Sequence, residues 1–380
     1  MKIGFVLDDT IDSSDGVQQY VLTLGSWLIS IGHEVHYLVG QSERKDVDNI
    51  HSLAKNVKVK FNKNRMTIPF RAKTSQIINI LEEEKFDVLH IQMPYSPQLG
   101  AKIIKIAPKT TAIVGTFHIL PYGKIEKAGT YLLAKLVKSS FSRIDTVISV
   151  SKPAAVFAKQ AYDCESVVIP NVVKLPNGTK KQKRNKSKLH IVFVGRLVKR
   201  KGVLELLHAL SLVDDDLDFM VTVVGSGPLK DDVLRLVRNY GLENRVRLTG
   251  FVAEEEKFRI LSDADIAVFP SLGGESFGIV LIEAMAAGAE AVIGGNNQGY
   301  QAVLEDTQTL FNPCDKVSFS KILSSLLRNS NTRKNIHEKQ KLIVKKYDVS
   351  SVGPEVLKVY EQAIAKHKPN KDNDNNEMGN

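Results

Sequence analysis

The chain reads as two Rossmann-like, doubly wound α/β domains facing a common cleft. Three observations predict this. Its 380 residues exceed what one ordinary core organises. Short β-rich segments alternate with helical ones along most of that length. The alternation stops at a basic stretch near the middle and then begins again. A hydrophobic content of 43% and a charged content of 25% are those of a globular protein. No apolar run reaches the roughly 18 residues expected of a membrane span.

The first half is expected to place strands at 3–7, 34–39, 57–61, 87–91, 111–116, 146–150 and 166–169. Ile3-Gly4-Phe5-Val6-Leu7 is a short apolar run that meets acid at Asp8-Asp9, too early for a secretory signal. A helix over 17–31 follows, with Asp15 as its N-cap and Gly32 beyond its end. A second helix covers 74–84, and further helices precede the strands at 111 and 146. Strands separated by helices cannot form hairpins, so the sheet is parallel and covered on both faces. Cys164 and Cys314 fall in different halves and suggest no disulfide framework. A cytoplasmic location is expected.

The second half repeats the pattern, with strands at 191–194, 220–224, 245–248, 266–269 and 291–293. Helices are expected at 202–212, 229–240, 254–261, 278–287, 319–327 and 332–344, and an amphipathic segment at 352–365. The resulting division is 1–172, a basic linker at 173–188, 189–348, a closing helix within 349–367, and a polar tail at 368–380 expected to be disordered. The linker holds Lys180, Lys181, Lys183, Arg184, Lys186 and Lys188, six of the charges behind a net +10. The run contains no aromatic residue and has no helical periodicity, which argues against nucleic acid as partner. A solvated connector, or attraction to an anionic membrane surface, accounts for it.

Ligands of doubly wound sheets bind at the carboxyl ends of strands. The stretch Ser271-Leu272-Gly273-Gly274-Glu275-Ser276-Phe277-Gly278-Ile279-Val280-Leu281-Ile282-Glu283 stands at such an end. A glycine turn opening a helix offers free N–H groups and a positive helix end to a phosphate. On an ideal helix Glu275 and Glu283 would stand about 80° apart. A ligand cradle and a capped helix with a solvated acid both fit that spacing. Gly195-Arg196-Leu197-Val198-Lys199-Arg200-Lys201-Gly202 occupies an equivalent place. Its cations suit a diphosphate, and the flanking glycines favour Arg196 and Lys201 over Lys199 and Arg200. Gly16, behind Asp15, could bring N–H groups to a phosphate. His118 follows the strand at 111–116 on the same lip, whereas His90 reads as a core residue. No His, Cys or carboxylate group shows metal-ligand spacing. Asp263/Asp265 and Asp372/Asp374 lie at the wrong lip and in the tail. No Ser-His-Asp order appears.

Together these residues resemble retaining glycosyltransferases of family 4, with the GT-B fold, and most of all the phosphatidylinositol mannosyltransferase type. Gly16-Val17-Gln18, Gly32-His33-Glu34-Val35, Phe86 to Ile91 and Thr116-Phe117-His118 match the acceptor half. Ile169-Pro170-Asn171, Gly195-Arg196, Lys201-Gly202 and the stretch from Leu272 to Gly288 match the donor half. The resemblance implies that Arg196 and Lys201 hold the diphosphate of a nucleotide-sugar donor, GDP-mannose or a UDP-sugar, near Gly16 and the backbone of Phe277, Gly278 and Ile279. It implies that Glu275 binds sugar hydroxyls, Glu283 the ribose, and Val252 and Lys257 the base. His118 would contact the transferred sugar and Gln18 the acceptor, a membrane glycolipid or another glycan, with no tightly bound cofactor and no metal. Asp15 replaces the first of a usual glycine pair, and Asp8-Asp9 replace a proline–aromatic loop; both departures bear on the acceptor. Lys124, Lys127, Lys135, Lys138 and Arg143, interleaved with Tyr131, Leu132, Leu133, Leu136 and Val137, suggest a basic amphipathic helix. Such a helix would allow peripheral contact with the inner face of the cell membrane. Nucleotide-sugar epimerases of the same fold and transferases acting on soluble or polymeric glycans remain alternatives.

Overall fold

The computed structural model describes residues 1–13, 15–61, 64–70, 72–176 and 188–367. The expected basic run at 180–186 and the polar tail at 368–380 lie outside these residues.

The first half opens with β1 (Lys2–Leu7), α1 (Gly16–Ser30) and β2 (Glu34–Val39). Three strands follow where the sequence suggested one: β3 (Ile50–Ser52), β4 (Lys55–Phe61) and β5 (Asn64–Phe70). The strand expected at 57–61 does not join the parallel sheet, because β4 pairs antiparallel with β5 as a separate hairpin. With no helix between them, a local antiparallel partner satisfies its backbone. The half continues with α2 (Thr74–Glu84), β6 (Val88–Gln92), α3 (Leu99–Ile106) and β7 (Ala112–Phe117). It ends with α4 (Lys124–Phe141), β8 (Thr146–Ser149), α5 (Lys152–Tyr162) and β9 (Val167–Val168). The seven-stranded sheet runs β3-β2-β1-β6-β7-β8-β9, with every pairing parallel.

The second half forms β10 (Leu189–Val194), α6 (Val203–Leu210), β11 (Phe219–Val224), α7 (Lys230–Asn239) and β12 (Val246–Gly250). Then come α8 (Glu254–Ser262), β13 (Ile266–Phe269), α9 (Ile279–Ala287), β14 (Ala291–Gly295), α10 (Gln298–Leu304) and β15 (Leu310–Phe311). Its sheet order is β12-β11-β10-β13-β14-β15. Strand order reverses between β1 and β6 in one sheet and between β10 and β13 in the other. These are the switch points at which doubly wound folds leave a crevice. The strands are buried on both faces, as Val6, Val192 and Val268 at 0% exposure show.

Three helices close the chain: α11 (Lys316–Arg328), α12 (Ser330–Lys345) and α13 (Val349–Ala365). The last leaves the second half at a parallel bridge between Val173 and Asp348 and packs on α1, β6 and β7. Val352, Val356, Val359, Tyr360 and Ala363 line its buried face within the first core. Gly353 permits the close approach, since a Cβ there would lie 2.6 Å from the Trp27 ring. No helix among the described residues is long and apolar enough to cross a membrane.

Candidate active site

β13 delivers the chain to Ser271, and a glycine turn follows in which Gly274 has φ +70° and Gly278 φ +124°. Both angles belong to the left-handed region that glycine adopts without strain. A Cβ at Gly278 would press the Tyr300 ring at 2.8 Å. Glu275 therefore lies in the turn, because α9 begins only at Ile279. The helical separation expected between Glu275 and Glu283 does not apply, and the two acids occupy different surroundings.

Around Glu275 the second lip closes. A 3₁₀ turn at Lys199–Lys201 follows β10 and ends at Gly202, with φ +73°, where a Cβ would overlap the Pro270 carbonyl oxygen. Lys201 Nζ and Arg200 Nη1 each stand 2.8 Å from Glu275 Oε1. Ser271 Oγ donates to the same oxygen at 2.7 Å. The backbone also locks the two segments, as Leu272 N donates to the Arg200 carbonyl at 2.8 Å. Burial pushes the Glu275 carboxyl up, but Lys201 and Arg200 outweigh it and hold the group below its usual range. Arg200 and Lys201 together carry one positive charge more than Glu275 neutralises. Arg196 adds a further cation on the same loop, exposed to solvent. Arg200, ranked low from the sequence, is thus a direct partner of Glu275. Ser271 gave no sequence signal.

Glu283 lies on α9 beside Lys257 of α8. Lys257 Nζ is buried and bridges Glu283 Oε2 at 3.0 Å and Glu254 Oε1 at 2.9 Å. Burial raises the Glu283 carboxyl further than Lys257 lowers it. Burial alone would lower the Lys257 ammonium, but Glu283 and Glu254 raise it. Lys257 is therefore held as the partner of Glu283, beneath the place expected for a base. Val252 is half-buried and packs into the same core as Phe277.

The first domain supplies the facing lip. His118 follows β7, and its Nε2 lies 2.9 Å from Gln92 Oε1. Burial pulls the imidazole down to about 3, so it is neutral at pH 7. Its main chain reaches across the cleft, where the His118 carbonyl accepts from Ser276 Oγ at 2.7 Å. The Ser276 carbonyl accepts in turn from Ser151 Oγ. A Cβ on Gly16 would meet Ile279 Cγ2 at 3.2 Å, so the bare backbone of α1 faces the mouth of α9. Gln18 is buried, and its Nε2 donates to the Thr10 carbonyl at 3.0 Å, holding the β1–α1 loop. Tyr122, absent from the sequence-based candidates, lies against Gly273 and Gly274. A small anionic group entering here meets cations from one domain and glycine backbone from both.

Residues 14–175 match the family described as Glycosyltransferase Family 4, and residues 177–342 that described as Glycosyl transferases group 1. The phosphatidyl-myo-inositol mannosyltransferase of Mycolicibacterium smegmatis is 31% identical over 375 residues, covering 95% of this chain and 94% of that protein. The chain belongs to the family 4 glycosyltransferases.

The corresponding protein of Propionibacterium freudenreichii is 30% identical over 378 residues, with 95% and 94% covered. The phosphatidylinositol N-acetylglucosaminyltransferase GPI3 subunit of Saccharomyces cerevisiae is 27% identical, with 95% and 80% covered. Among solved structures, Anabaena Alr3699/HepE in complex with UDP and glucose superposes with a TM-score of 0.73 at 17% identity, covering 95% and 100% of the two chains. The pneumococcal O-GlcNAc transferase GtfA, in complex with UDP and GlcNAc, gives 0.74 at 12%, covering 96% and 99%. These establish the GT-B fold for this glycosyltransferase.

Proposed function

We propose that this glycosyltransferase moves mannose from GDP-mannose to a hydroxyl of a phosphatidylinositol-type membrane lipid, with retention of configuration. The observation that carries the reading is the Glu275 site. One half-buried carboxylate is held by Arg200 and Lys201 at the strand ends of one domain, facing Gly16 and His118 of the other. The full-length likeness to proteins named for mannosyl transfer to phosphatidyl-myo-inositol supports the choice of sugar and acceptor.

In this reading Arg196, Arg200 and Lys201 take up the diphosphate as its bond to the sugar breaks and negative charge gathers there. Such preorganised partners act where charge develops. Glu275, kept ionised by the same cations, accepts hydrogen bonds from sugar hydroxyls, and Glu283, oriented by Lys257, does so from the ribose. Neutral His118 faces the reacting end of the sugar. Its low proton affinity makes it a poor base, so the departing phosphate oxygen receives the acceptor proton on the face it leaves. That order of events retains configuration.

The acceptor lip fits a membrane substrate. α4 presents Leu132 and Leu136, 63% and 61% exposed, beside Lys127, Lys135 and Lys138. Exposed leucines interleaved with lysines suit an anionic lipid surface. The side chain of Lys124, counted in this stripe from the sequence, lies outside the described residues.

The test is nucleotide release from a panel of GDP- and UDP-sugars, with phosphatidylinositol vesicles or soluble glycans as acceptors. GDP release that depends on GDP-mannose and phosphatidylinositol, giving an α-linked product by NMR, supports the proposal. Turnover on donor alone would indicate an epimerase, and turnover on soluble glycan alone would refute the lipid acceptor.

A further inference from the structure

A second cluster of polar side chains lies at the other end of the first sheet, away from the cleft. His36 on β2 is 4% exposed, and its Nδ1 stands 2.9 Å from His51 Nε2 on β3. The rings are nearly parallel, 4° apart. On its other side His36 Nε2 lies 2.9 Å from Glu34 Oε1 and 3.6 Å from Glu84 Oε2, the last residue of α2. One donor atom from each of His36, His51 and Glu84 lies within 4.8 Å of the other two. The Phe86 ring closes one wall, edge-on to His36 with centroids 5.3 Å apart.

We propose that His36, His51 and Glu84, joined by Glu34, bind one divalent transition-metal ion of the zinc class. Two imidazoles with carboxylates select zinc, cobalt, nickel or copper over magnesium and calcium, which prefer all-oxygen sites. A tetrahedral zinc with Zn–N of about 2.0–2.1 Å places its ligands about 3.3 Å apart. From 4.8 Å the donor atoms of His36, His51 and Glu84 need to close by about 1.5 Å at most, with His51 swinging from the Nδ1 side of His36 to the Nε2 side that the carboxylates share. That distance is within reach of χ rotations of Glu84 and of His51, which is half-buried.

The cluster already attracts a cation. Lys2 Nζ lies 2.9 Å from Glu34 Oε1 and 2.9 Å from Glu84 Oε2. Two carboxylates and one ammonium leave a net negative charge, whereas a dication in place of the ammonium leaves none. Lys2 is partly exposed on a flexible stem, so it can withdraw to solvent. The bound ion would tie β2, β3 and α2 together. β3 is an edge strand held by three register pairs to β2 alone, so it gains most from such a link. The site lies at the amino ends of the strands, so it acts on the stability of the domain and leaves the transfer chemistry untouched.

The test uses the full chain, stripped with a chelator and titrated with Zn²⁺ and with Co²⁺. The expected result is one tightly bound equivalent, a visible Co²⁺ spectrum of low coordination number, and a Tm raised by roughly 2–10 °C at saturation. Affinity should fall in acid, because protons compete with the metal for the same ring nitrogens. His51→Ala and Glu84→Gln should each weaken Zn²⁺ binding at least tenfold without changing nucleotide release. Lys2→Met should tighten it, because the competing ammonium is gone. Glu84→Gln preserves size, so it decides the matter if His51→Ala fails to fold. No stoichiometric binding by the wild type, or binding that His51→Ala and Glu84→Gln leave unaltered, overturns the proposal.

Discussion

Arg200→Ala is the substitution that most directly tests the donor site. In the folded chain the guanidinium donates to Glu275 Oε1 at 2.8 Å beside Lys201. Removing it does not orphan the carboxylate, because Lys201 and Ser271 still hold the same oxygen. The fold should therefore survive, and the loss should appear in catalysis. Loss of one preorganised partner of a developing charge typically costs about 10²–10³ in rate, or about 2.7–4 kcal/mol. The charge on the diphosphate grows as the glycosidic bond breaks, so the loss should fall mainly on kcat. Arg200→Lys should recover part of it, restoring the charge without the planar fork. Steady-state nucleotide release, with circular dichroism as a control for folding, measures all three proteins. Turnover of Arg200→Ala within about threefold of wild type, or a rise in KM at unchanged kcat, would refute the assignment to the leaving group.

Lys257→Met should destabilise the second domain by about 3–5 kcal/mol in a denaturant titration, because it strands Glu283 and Glu254 without their buried cation. Acid should weaken the fold through His90 and His118, each pulled by burial down to about 3. Between about pH 6.5 and 3 the unfolded chain binds their protons and the folded chain does not, so stability falls with falling pH by up to about 1.4 kcal/mol per histidine per unit. Asp8, pushed by burial up to about 6, opposes this between about pH 4 and 6, where the folded chain holds the extra proton. Thermal melts of His118→Gln and Asp8→Asn across that range should shift the slope in opposite directions. Tyr360→Phe removes the 2.6 Å contact with His90 Nδ1 that ties α13 to β6, and should cost about 1–3 kcal/mol by denaturant titration.

What the sequence made legible was local. The glycine turn before α9 could be read because its glycines, its first acid and its helix are contiguous, so the backbone that positions them is written in one segment. Both doubly wound sheets were legible because parallel strands buried on two faces stand out as apolar runs. What stayed hidden depends on how distant pieces meet. Nothing between Arg196 and Gly202 says which cation turns toward Glu275. The 3₁₀ turn decides it, and the Ser271 and Leu272 contacts with the Arg200 carbonyl hold that turn in place. His36, His51 and Glu84 lie far apart in sequence and match no ligand motif, yet β2, β3 and α2 bring them together. The short β3 and the β4–β5 hairpin lack the helix between strands on which the parallel reading depended.

The turn from Ser271 to Gly278 has two duties, and they are physically linked. One side of it holds Glu275 among the cations, while the other side meets the first domain. Ser276 donates to the His118 carbonyl and accepts from Ser151, and Gly274 lies against Tyr122. The polar contacts are each worth about 0.5–1.5 kcal/mol net, and beside them Val150 and Ala154 of the first domain pack into the same core as Phe277 and Leu281. The far end of the molecule is joined differently. There α13 buries Val352, Val356, Val359 and Tyr360 in the first core, and Asp348 accepts from Leu175 N at 3.0 Å. On the proposed reading, a diphosphate drawn to Arg200 and Lys201 meets the two cations that hold the turn through Glu275. The segment that would receive the donor is thus also the one that meets the first domain.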